Sequence, residues 1–250
     1  MSSPSMQLRI AHLHPRVMNV YGDRGNILSL VRRCRERDID VIVTPLGGGD
    51  ALDPDTCDLI FIGGAQDRDQ RRVADDLLST KGVAVREAVE AGMVVLAVCG
   101  GYQLFGRFYR ESSGVELAGL GVFDLWTEHP GPSAPRLIGN VIAEYDGETL
   151  AGFENHGGRT YLDEGAHPLA RVRSGFGNNG KDGTEGARYK NAFGTYLHGS
   201  LLPKNPHFAD RLIALALGRR YGEDVELAPL DDRLEEAAHG AALRLVGGRR

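Results

Sequence analysis

The sequence has few cysteines, no long apolar run and no cluster of basic residues. Its three cysteines, Cys34, Cys57 and Cys99, fit no zinc-binding spacing, and an odd number argues against a secreted disulfide framework. No apolar stretch approaches the roughly 20 residues that cross a bilayer, and the N-terminal residues lack the pattern of a signal peptide. The net charge is −5, which disfavours a nucleic-acid partner. We therefore expect a cytoplasmic protein with reduced thiols and no transmembrane segment.

Length and composition predict one folded unit. The 250 residues, 42% hydrophobic and 25% charged, suit a single α/β domain that buries enough surface to need no disulfide or structural metal. No internal repeat or low-complexity linker divides the chain. We expect one domain over residues 1–250, with its core at about 8–218 and a C-terminal helix and tail at 219–250.

The first half alternates strands with helices. Short, β-branched, nearly all-apolar runs are typical of strands covered on both faces, as in a parallel sheet. We predict strands at Leu8–Leu13, Ile39–Thr44, Asp58–Ile62 and Met93–Val98, and helices at Arg24–Arg37, Gln70–Leu78, Val83–Ala91 and Tyr102–Tyr109. This order predicts an α/β fold with an open, doubly wound, mainly parallel sheet and helices on both faces.

The second half changes character. Strands are predicted at Arg136–Tyr145, Ala170–Ser174 and Ala187–Leu197, separated by turns rich in Gly, Asn and Asp. These turns predict an antiparallel extension of the fold. Helices at Phe208–Leu217 and Asp231–Leu243 complete the chain.

The stretch "VVLAVCGGYQ" places Cys99 between a predicted buried strand and a predicted helix. The same logic underlies the nucleophile elbow of hydrolases, where small residues after the nucleophile permit a tight turn. The backbone amide of Gly100 could then stabilise an oxyanion. The amides at the start of the predicted helix would also stabilise the negative charge of a thiolate at Cys99. The alternative is a buried structural cysteine beside glycines that pack a helix on the sheet. The position at the carboxyl end of a strand favours the nucleophile, because open α/β sheets bind ligands there.

A thiol nucleophile needs a base, and His198 is the best candidate. It follows the last predicted strand, in "NAFGTYLHGS", which would aim it at the same edge of the sheet. His156, in "FENHGGRT", is a weaker rival. A second glycine pair in "LIFIGGAQDRDQ" also ends a strand, so Gly64 could complete an oxyanion hole with Gly100, or simply form a strand–helix turn.

These residues resemble the class I (triad-type) glutamine amidotransferases. The broader family carries a Glu two residues after the His, where this sequence has Ser200, and this departure is similar to the cobyric acid synthase-like branch. The blocks "VYGDRGN", "GGAQDRDQ", "VCGGYQLFG", "GFENHGGRT" and "YKNAFGTYLHGSLLPKNP" are similar to the glutaminase subunits of lipid II isoglutaminyl synthases, from about residue 20 to 210.

The resemblance implies a glutaminase subunit of a heterodimeric, ATP-dependent enzyme of peptidoglycan synthesis. Cys99 and His198 would hydrolyse L-glutamine to glutamate and ammonia through a thioester. A MurT-type Mur ligase partner would bind ATP and Mg²⁺ and use the ammonia to amidate the D-glutamate α-carboxyl of lipid II, giving D-isoglutamine. This chain has no GxxxxGK[ST] phosphate loop, and we expect no cofactor and no metal in it. Lipid II would bring the complex to the inner face of the membrane.

Other interpretations remain open from the sequence. The acceptor of ammonia could be a different molecule such as a corrinoid, as in cobyric acid synthases. The chain could also be another Cys–His hydrolase on this fold, such as a peptidase. A non-catalytic binding module is the least favoured interpretation, because both Cys99 and His198 are present.

The resemblance also implies substrate contacts. Arg136 corresponds to the family's glutamine-binding arginine, with Arg159 and Arg107 as alternatives, and a guanidinium suits a carboxylate partner. Gln103 could contact the bound glutamine as well. With Ser200 in place of the usual Glu, Asp23 or Glu154 would orient His198, with Asp23 preferred, or a backbone carbonyl would do so. Asp23 could instead serve only as a helix N-cap.

Overall fold

The computed structural model describes residues 6–198, 200–222 and 224–247. The strands within these ranges are β1 (Gln7–Leu13), β2 (Asp40–Leu46), β3 (Leu59–Ile62), β4 (Val94–Val98), β5 (Phe108–Arg110), β6 (Glu116–Ala118), β7 (Leu125–Glu128), β8 (Leu137–Tyr145), β9 (Glu148–His156), β10 (Arg159–Leu162), β11 (Ala170–Ser174), β12 (Thr184–Glu185), β13 (Ala187–Tyr189) and β14 (Ala192–Thr195). The α-helices are α1 (Arg24–Arg35), α2 (Asp67–Asp76), α3 (Gly82–Glu90), α4 (Gly100–Leu104), α5 (Leu201–Lys204), α6 (Pro206–Tyr221) and α7 (Arg233–Gly247).

A six-stranded sheet in the order β13–β14–β4–β3–β1–β2 forms the centre of the fold. All neighbouring pairs in it are parallel except β13 with β14. Every residue of β3 and β4 is buried, which explains why their sequences are apolar without alternation. The predicted α/β class with a mainly parallel, doubly wound sheet is confirmed.

Helices cover both faces of this sheet. The chain leaves β1 through α1 and returns at β2, whereas it leaves β3 through α2 and α3 and returns on the opposite side at β4. The two crossovers run toward opposite edges of the sheet. Because each crossover is right-handed, α1 and the α2–α3 pair lie on opposite faces. α6 packs on β1, β4 and α1, and α4 packs on β4 and α2.

Two smaller four-stranded sheets form the antiparallel extension, in the orders β10–β7–β5–β6 and β12–β11–β8–β9. The second is antiparallel throughout, and in the first only β5 and β7 run parallel. Sequence patterns did not indicate β6, β7, β9 or β10 as separate strands.

The predicted helix Tyr102–Tyr109 is wrong in its second half. The helix ends at Leu104, and residues from Arg107 onward turn to the extension, where the Arg107 amide donates to Leu125 O at 2.8 Å. Gly106 permits this exit because a methyl group there would lie 2.3 Å from a Leu125 side-chain carbon. Pairing with β7 therefore overrides the apparent helical pattern.

The C-terminal predictions also need adjustment. The predicted strand Ala187–Leu197 is a hairpin, because Lys190 adopts a left-handed φ of 50° and turns the chain between β13 and β14. α6 continues past the expected end at Leu217 and closes at Gly222, which has a φ of 76°. α7 matches the predicted final helix to within a few residues, and residues 248–250 of the predicted C-terminal helix and tail lie outside the described residues. No helix in the described ranges combines the length and apolar character that spanning a membrane requires.

Candidate active site

Four neighbouring parallel strands end at the candidate site. In the sheet order β14–β4–β3–β1, the segments that follow these strands carry His198, Cys99, Gly64 and Asp23 respectively. Because parallel strands present their carboxyl ends at one edge, side chains distant in sequence meet there. Asp23 and His198 are separated by 175 positions in the chain.

Cys99 occupies a strained turn at the end of β4. Its φ of 49° and ψ of −105° lie outside the regions that side-chain-bearing residues normally adopt. The Cys99 amide donates to Thr195 O at 2.8 Å, which ties the turn to β14. Gly101 makes the turn possible, since a methyl group on it would lie 2.8 Å from both Gly63 O and a methyl carbon of Ile62. The thiol is thus held by the backbone at the sheet edge with only 6% of the residue exposed.

His198 is held rigidly beside this thiol. Backbone hydrogen bonds in both directions join His198 to Phe153 of β9, at 2.7 and 3.2 Å, and the ring is fully buried. A methyl group on Gly64 would come within 2.8 Å of His198 Cε1 and 3.1 Å of Cys99 Cβ. The imidazole and the thiol therefore flank the same glycine, which leaves room for both.

Asp23 lies on the other side of the imidazole. Asp23 Oδ1 is 2.9 Å from His198 Nδ1, and Asp23 Oδ2 accepts the Gly64 amide at 2.7 Å. Although Asp23 occupies the N-cap position of α1, its side chain makes no capping hydrogen bond. Both oxygens are used at the site, so the alternative role as a simple N-cap does not account for this residue.

The environment of His198 favours its protonated form. Burial of the ring opposes protonation, but the negative charge of Cys99 and the hydrogen bond with Asp23 outweigh burial and raise the pKa of His198 to about 10. The Nδ1–Asp23 contact also leaves Nε2 as the nitrogen available for proton transfer, and Nε2 has no hydrogen-bond partner among the described residues.

Glu154 and His156, the alternatives to Asp23 and His198 that the sequence left open, make hydrogen bonds with other residues. Glu154 accepts the amides of Phe176 and Gly177, at 2.7 and 2.9 Å, and so binds a loop of the extension. His156 stacks on Tyr196 with ring centroids 3.6 Å apart, and its Nδ1 is 2.8 Å from Gly158 O. Burial lowers the pKa of His156, although Glu154 at 3.5 Å acts in the opposite sense. Neither residue bonds to His198.

The predicted oxyanion hole requires one correction. The amide of Gly64 is already donated to Asp23, so it is not free to bind a substrate oxygen. Ala65 is the next residue, and its nitrogen lies 2.9 Å from where a methyl group on Gly100 would sit. Within the described ranges, neither the amide of Ala65 nor that of Gly100 donates a hydrogen bond. The amides beside Cys99 that remain free to donate are therefore those of Ala65 and Gly100, not the predicted pair of Gly64 and Gly100.

A cavity of about 470 Å³ opens above Cys99. Its lining combines cationic, amide and aromatic side chains with the thiol, and it includes Tyr21, Gln70, Cys99, Gln103, Arg136 and Asn155. Arg136 lies exposed at the cavity rim, where its Nε and Nη2 donate to Asn155 Oδ1 and O, each at 2.8 Å. The dimensions and the polar lining suit a small amino acid with a charged end near Arg136.

The other predicted substrate contacts are placed differently. Gln103 lines the cavity, but its amide donates to Tyr196 Oη at 3.0 Å and accepts from Gln70 Nε2 at 2.8 Å. Both polar atoms of the Gln103 side chain are therefore used in a buried hydrogen-bond network beneath the cavity. Arg159 donates to backbone oxygens of Pro135 and Gly157, and Arg107 pairs with Asp163 outside this cavity. Of the three arginines considered, only Arg136 lines the cavity.

The buried carboxyl of Glu185 supports the segment that leads to His198. One of its oxygens accepts the Thr195 hydroxyl and the Tyr196 amide, and the other has no partner among the described residues. Complete burial raises the pKa of Glu185 to about 7, although the bond from Thr195 acts to lower it.

Glu185 makes stability depend on pH. The folded protein keeps this proton up to about pH 7, whereas the unfolded chain loses it near pH 4.5, so the free energy of unfolding rises as pH falls through this window. We expect this group to contribute about 2 kcal/mol between pH 8 and pH 5. Urea unfolding of the wild type and Glu185→Gln at both pH values measures it. A difference between the two proteins that does not change with pH would contradict the assignment.

Comparison with known proteins agrees with this geometry. Residues 9–206 match the family model of the CobB/CobQ-like glutamine amidotransferase domain. The chain is 42% identical over 230 residues to the lipid II isoglutaminyl synthase (glutamine-hydrolyzing) subunit GatD of Staphylococcus aureus, covering 92% of each sequence. It is 41% identical to the subunit of the same name from Streptococcus pneumoniae, covering 92% of this chain and 88% of that protein.

A solved structure shows the same fold. A glutamine amidotransferase from Thermotoga maritima superimposes with a TM-score of 0.52 at 15% identity, covering 96% of this chain and 94% of that one. The fold, the family match and the two relatives lead to one assignment: the chain belongs to the CobB/CobQ-like glutamine amidotransferase family, in the branch that contains the GatD subunits of lipid II isoglutaminyl synthases.

Proposed function

We propose that this chain hydrolyses L-glutamine through a Cys99–His198–Asp23 triad and delivers the ammonia to a MurT-type ligase subunit. The observation that carries the proposal is the Asp23–His198 contact of 2.9 Å, together with the strained Cys99 that lies with His198 beside Gly64. A nucleophile, a base and a group that orients the base are the minimum set for amide cleavage through a covalent intermediate.

In the first half-reaction, the sulfur of Cys99 attacks the δ-carbon of glutamine. The amides of Ala65 and Gly100 donate to the oxygen of the tetrahedral intermediate. His198, protonated on Nε2, gives its proton to the departing nitrogen, so that ammonia leaves and a glutamyl thioester remains.

In the second half-reaction, the neutral imidazole of His198 takes a proton from water, which attacks the thioester carbon. The carbon–sulfur bond breaks, glutamate is released and Cys99 is restored. Asp23 keeps the proton of His198 on Nδ1 during both steps, so that Nε2 alternates between donor and acceptor. Arg136 receives the α-carboxylate of the substrate and sets its distance from the sulfur.

The acceptor is proposed from the relatives. Both GatD proteins are named as subunits of lipid II isoglutaminyl synthases, and each aligns with this chain over most of its length. We infer that the partner binds ATP and Mg²⁺, activates the α-carboxyl of D-glutamate in lipid II and receives the ammonia in a heterodimer. The reaction would take place at the cytoplasmic face of the membrane, where lipid II presents its stem peptide.

Co-expression with a MurT-type ligase tests the proposal. The complex should amidate lipid II in the presence of ATP and glutamine, as measured by mass spectrometry. The complex with Cys99→Ala should lose glutamine-dependent amidation but keep amidation driven by ammonium chloride, because only the nitrogen source is affected.

Two results would contradict the proposal. Undiminished glutamine-dependent amidation by the Cys99→Ala complex would reject the nucleophile. Glutamine hydrolysis without amidation of lipid II from either nitrogen source would reject the acceptor.

A further inference from the structure

Tyr21 lies beside His198 in an unusual backbone conformation. It belongs to the short 3₁₀ turn Val20–Gly22, and its φ of 52° and ψ of 27° are left-handed, although the residue is not glycine. Its ring meets the His198 ring edge to face, with centroids 5.0 Å apart and an interplanar angle of 69°. A tyrosine kept in a conformation that glycine would adopt more easily indicates that the side chain has a role.

The hydroxyl of Tyr21 points toward the substrate arginine. Asn155 Nδ2 donates to Tyr21 Oη at 2.9 Å, and the two oxygens of Asn155 accept from Arg136. One continuous chain of contacts therefore joins Arg136 to Asn155, Tyr21 and His198. The exposed fraction of Tyr21 is 47%, and all members of the chain except His198 line the cavity above Cys99.

The segment that carries Tyr21 is fixed at two further points, one on the loop after His198 and one on the turn after β3. Ser200 Oγ donates to Gly22 O at 2.8 Å, and the Val20 amide donates to Gly64 O at 3.2 Å. Asp23 follows directly and bonds to the ring. The titratable groups around the imidazole are thus Asp23, Cys99 and Tyr21, and Tyr21 is the one among them with a large exposed surface.

We propose that Tyr21 is a positioning residue that couples the arginine holding the substrate carboxylate to the imidazole that moves the proton. The inference rests on the proposed glutaminase function and assigns two separable duties to one side chain. The hydroxyl holds Asn155 and thereby Arg136 in the orientation that binds the substrate. The ring covers the edge of His198 and excludes water from the Cys99–His198 pair.

Two substitutions separate these duties. Tyr21→Phe removes the hydroxyl and keeps the ring, so KM for glutamine should rise about threefold to tenfold, as expected for one lost hydrogen bond, while kcat stays within about twofold. Tyr21→Leu removes both, so kcat should also fall, by about tenfold or more, because the base is no longer held and shielded. Tyr221→Phe is the matched control, since Tyr221 is 40% exposed and accepts one hydrogen bond, from the Gln7 amide, outside the cavity.

A second readout follows Cys99 without glutamine. The rate at which iodoacetamide alkylates the thiol, measured from pH 5 to 10 in a Cys34→Ala/Cys57→Ala background, reports the Cys99–His198 pair, and iodoacetamide has no α-carboxylate for Arg136. The pH profile should be unchanged in Tyr21→Phe and shifted in Tyr21→Leu. Thermal melting curves show that each variant is folded.

The outcomes separate this inference from the proposed function. Wild-type protein that releases no ammonia from glutamine would reject the function, and the alkylation profile of Tyr21→Leu would still decide whether Tyr21 positions His198. Active wild-type protein together with unchanged kcat, KM and alkylation profile in both Tyr21 variants would overturn the inference. An equal loss in Tyr221→Phe would overturn it as well.

Discussion

Replacing Cys99 with alanine is expected to lower the rate of glutamine hydrolysis at least about 10³-fold, because nucleophile and base act as a unit and neither works alone. Release of ammonia and glutamate by the purified chain, alone and with its partner subunit, measures the effect. Because Cys99 lines the cavity, removal of its sulfur opens no closed void in the core, and melting curves of the variant and the wild type check that the loss comes from chemistry and not from unfolding.

Cys57→Ala is the matched control for this prediction. Cys57 is also buried, with 3% exposure, and it lies two residues before β3, away from the cavity. Its substitution should lower the melting temperature slightly and leave kcat near the wild-type value. A Cys99→Ala protein that keeps more than a few per cent of wild-type turnover would reject Cys99 as the nucleophile.

Asp23→Asn is expected to lower kcat about 100-fold or more while the protein remains folded. An asparagine amide can donate to His198 Nδ1 and so hold the imidazole in the tautomer that has its proton on Nε2. Nε2 of His198 would then be unable to accept a proton from water in the second half-reaction. The same substitution removes the negative charge that helps to raise the pKa of His198. Steady-state kinetics measures the fall in kcat, and melting curves show whether the variant remains folded.

Glu154→Gln distinguishes the two carboxylates that the sequence left open. Glu154 accepts the amides of Phe176 and Gly177 and makes no hydrogen bond with His198, so this variant should lose stability more than turnover. A loss of kcat in Glu154→Gln as large as that in Asp23→Asn would show that the orienting role had been assigned to the wrong residue.

Sequence patterns indicate the strands of the central sheet but few strands of the antiparallel extension. The central strands were found because buried parallel strands are continuously apolar, and that signal is local. Of the strands of the extension that were missed, all but the nine-residue β9 have four residues or fewer, and β5 follows the helix α4 after only three residues. The contact that ends α4, between Arg107 and Leu125, joins residues whose pairing no local pattern reveals.

The site shows the same division. Cys99 and His198 carry recognisable signals, namely a glycine pair after a strand and a histidine after another strand. Gly64 was also found, but its amide was assigned to the substrate when the structure gives it to Asp23. Ala65 was missed because every residue except proline has a backbone amide, so residue type does not reveal which amide is free to donate. Tyr21 could have been noticed, since it is a large aromatic residue two positions before a candidate catalytic Asp.

The sequence by itself determined the α/β class, the candidate nucleophile and the candidate base, because each depends on residues within one strand and the turn that follows it. Only the tertiary structure showed that Asp23 and not Glu154 bonds to His198, that the Gly64 amide is donated to Asp23, and that contacts run from Arg136 through Asn155 and Tyr21 to His198. The physical reason is that these contacts connect the ends of different strands. Their distances depend on strand order and on the conformation of the turns, and no single stretch of the sequence determines either of these.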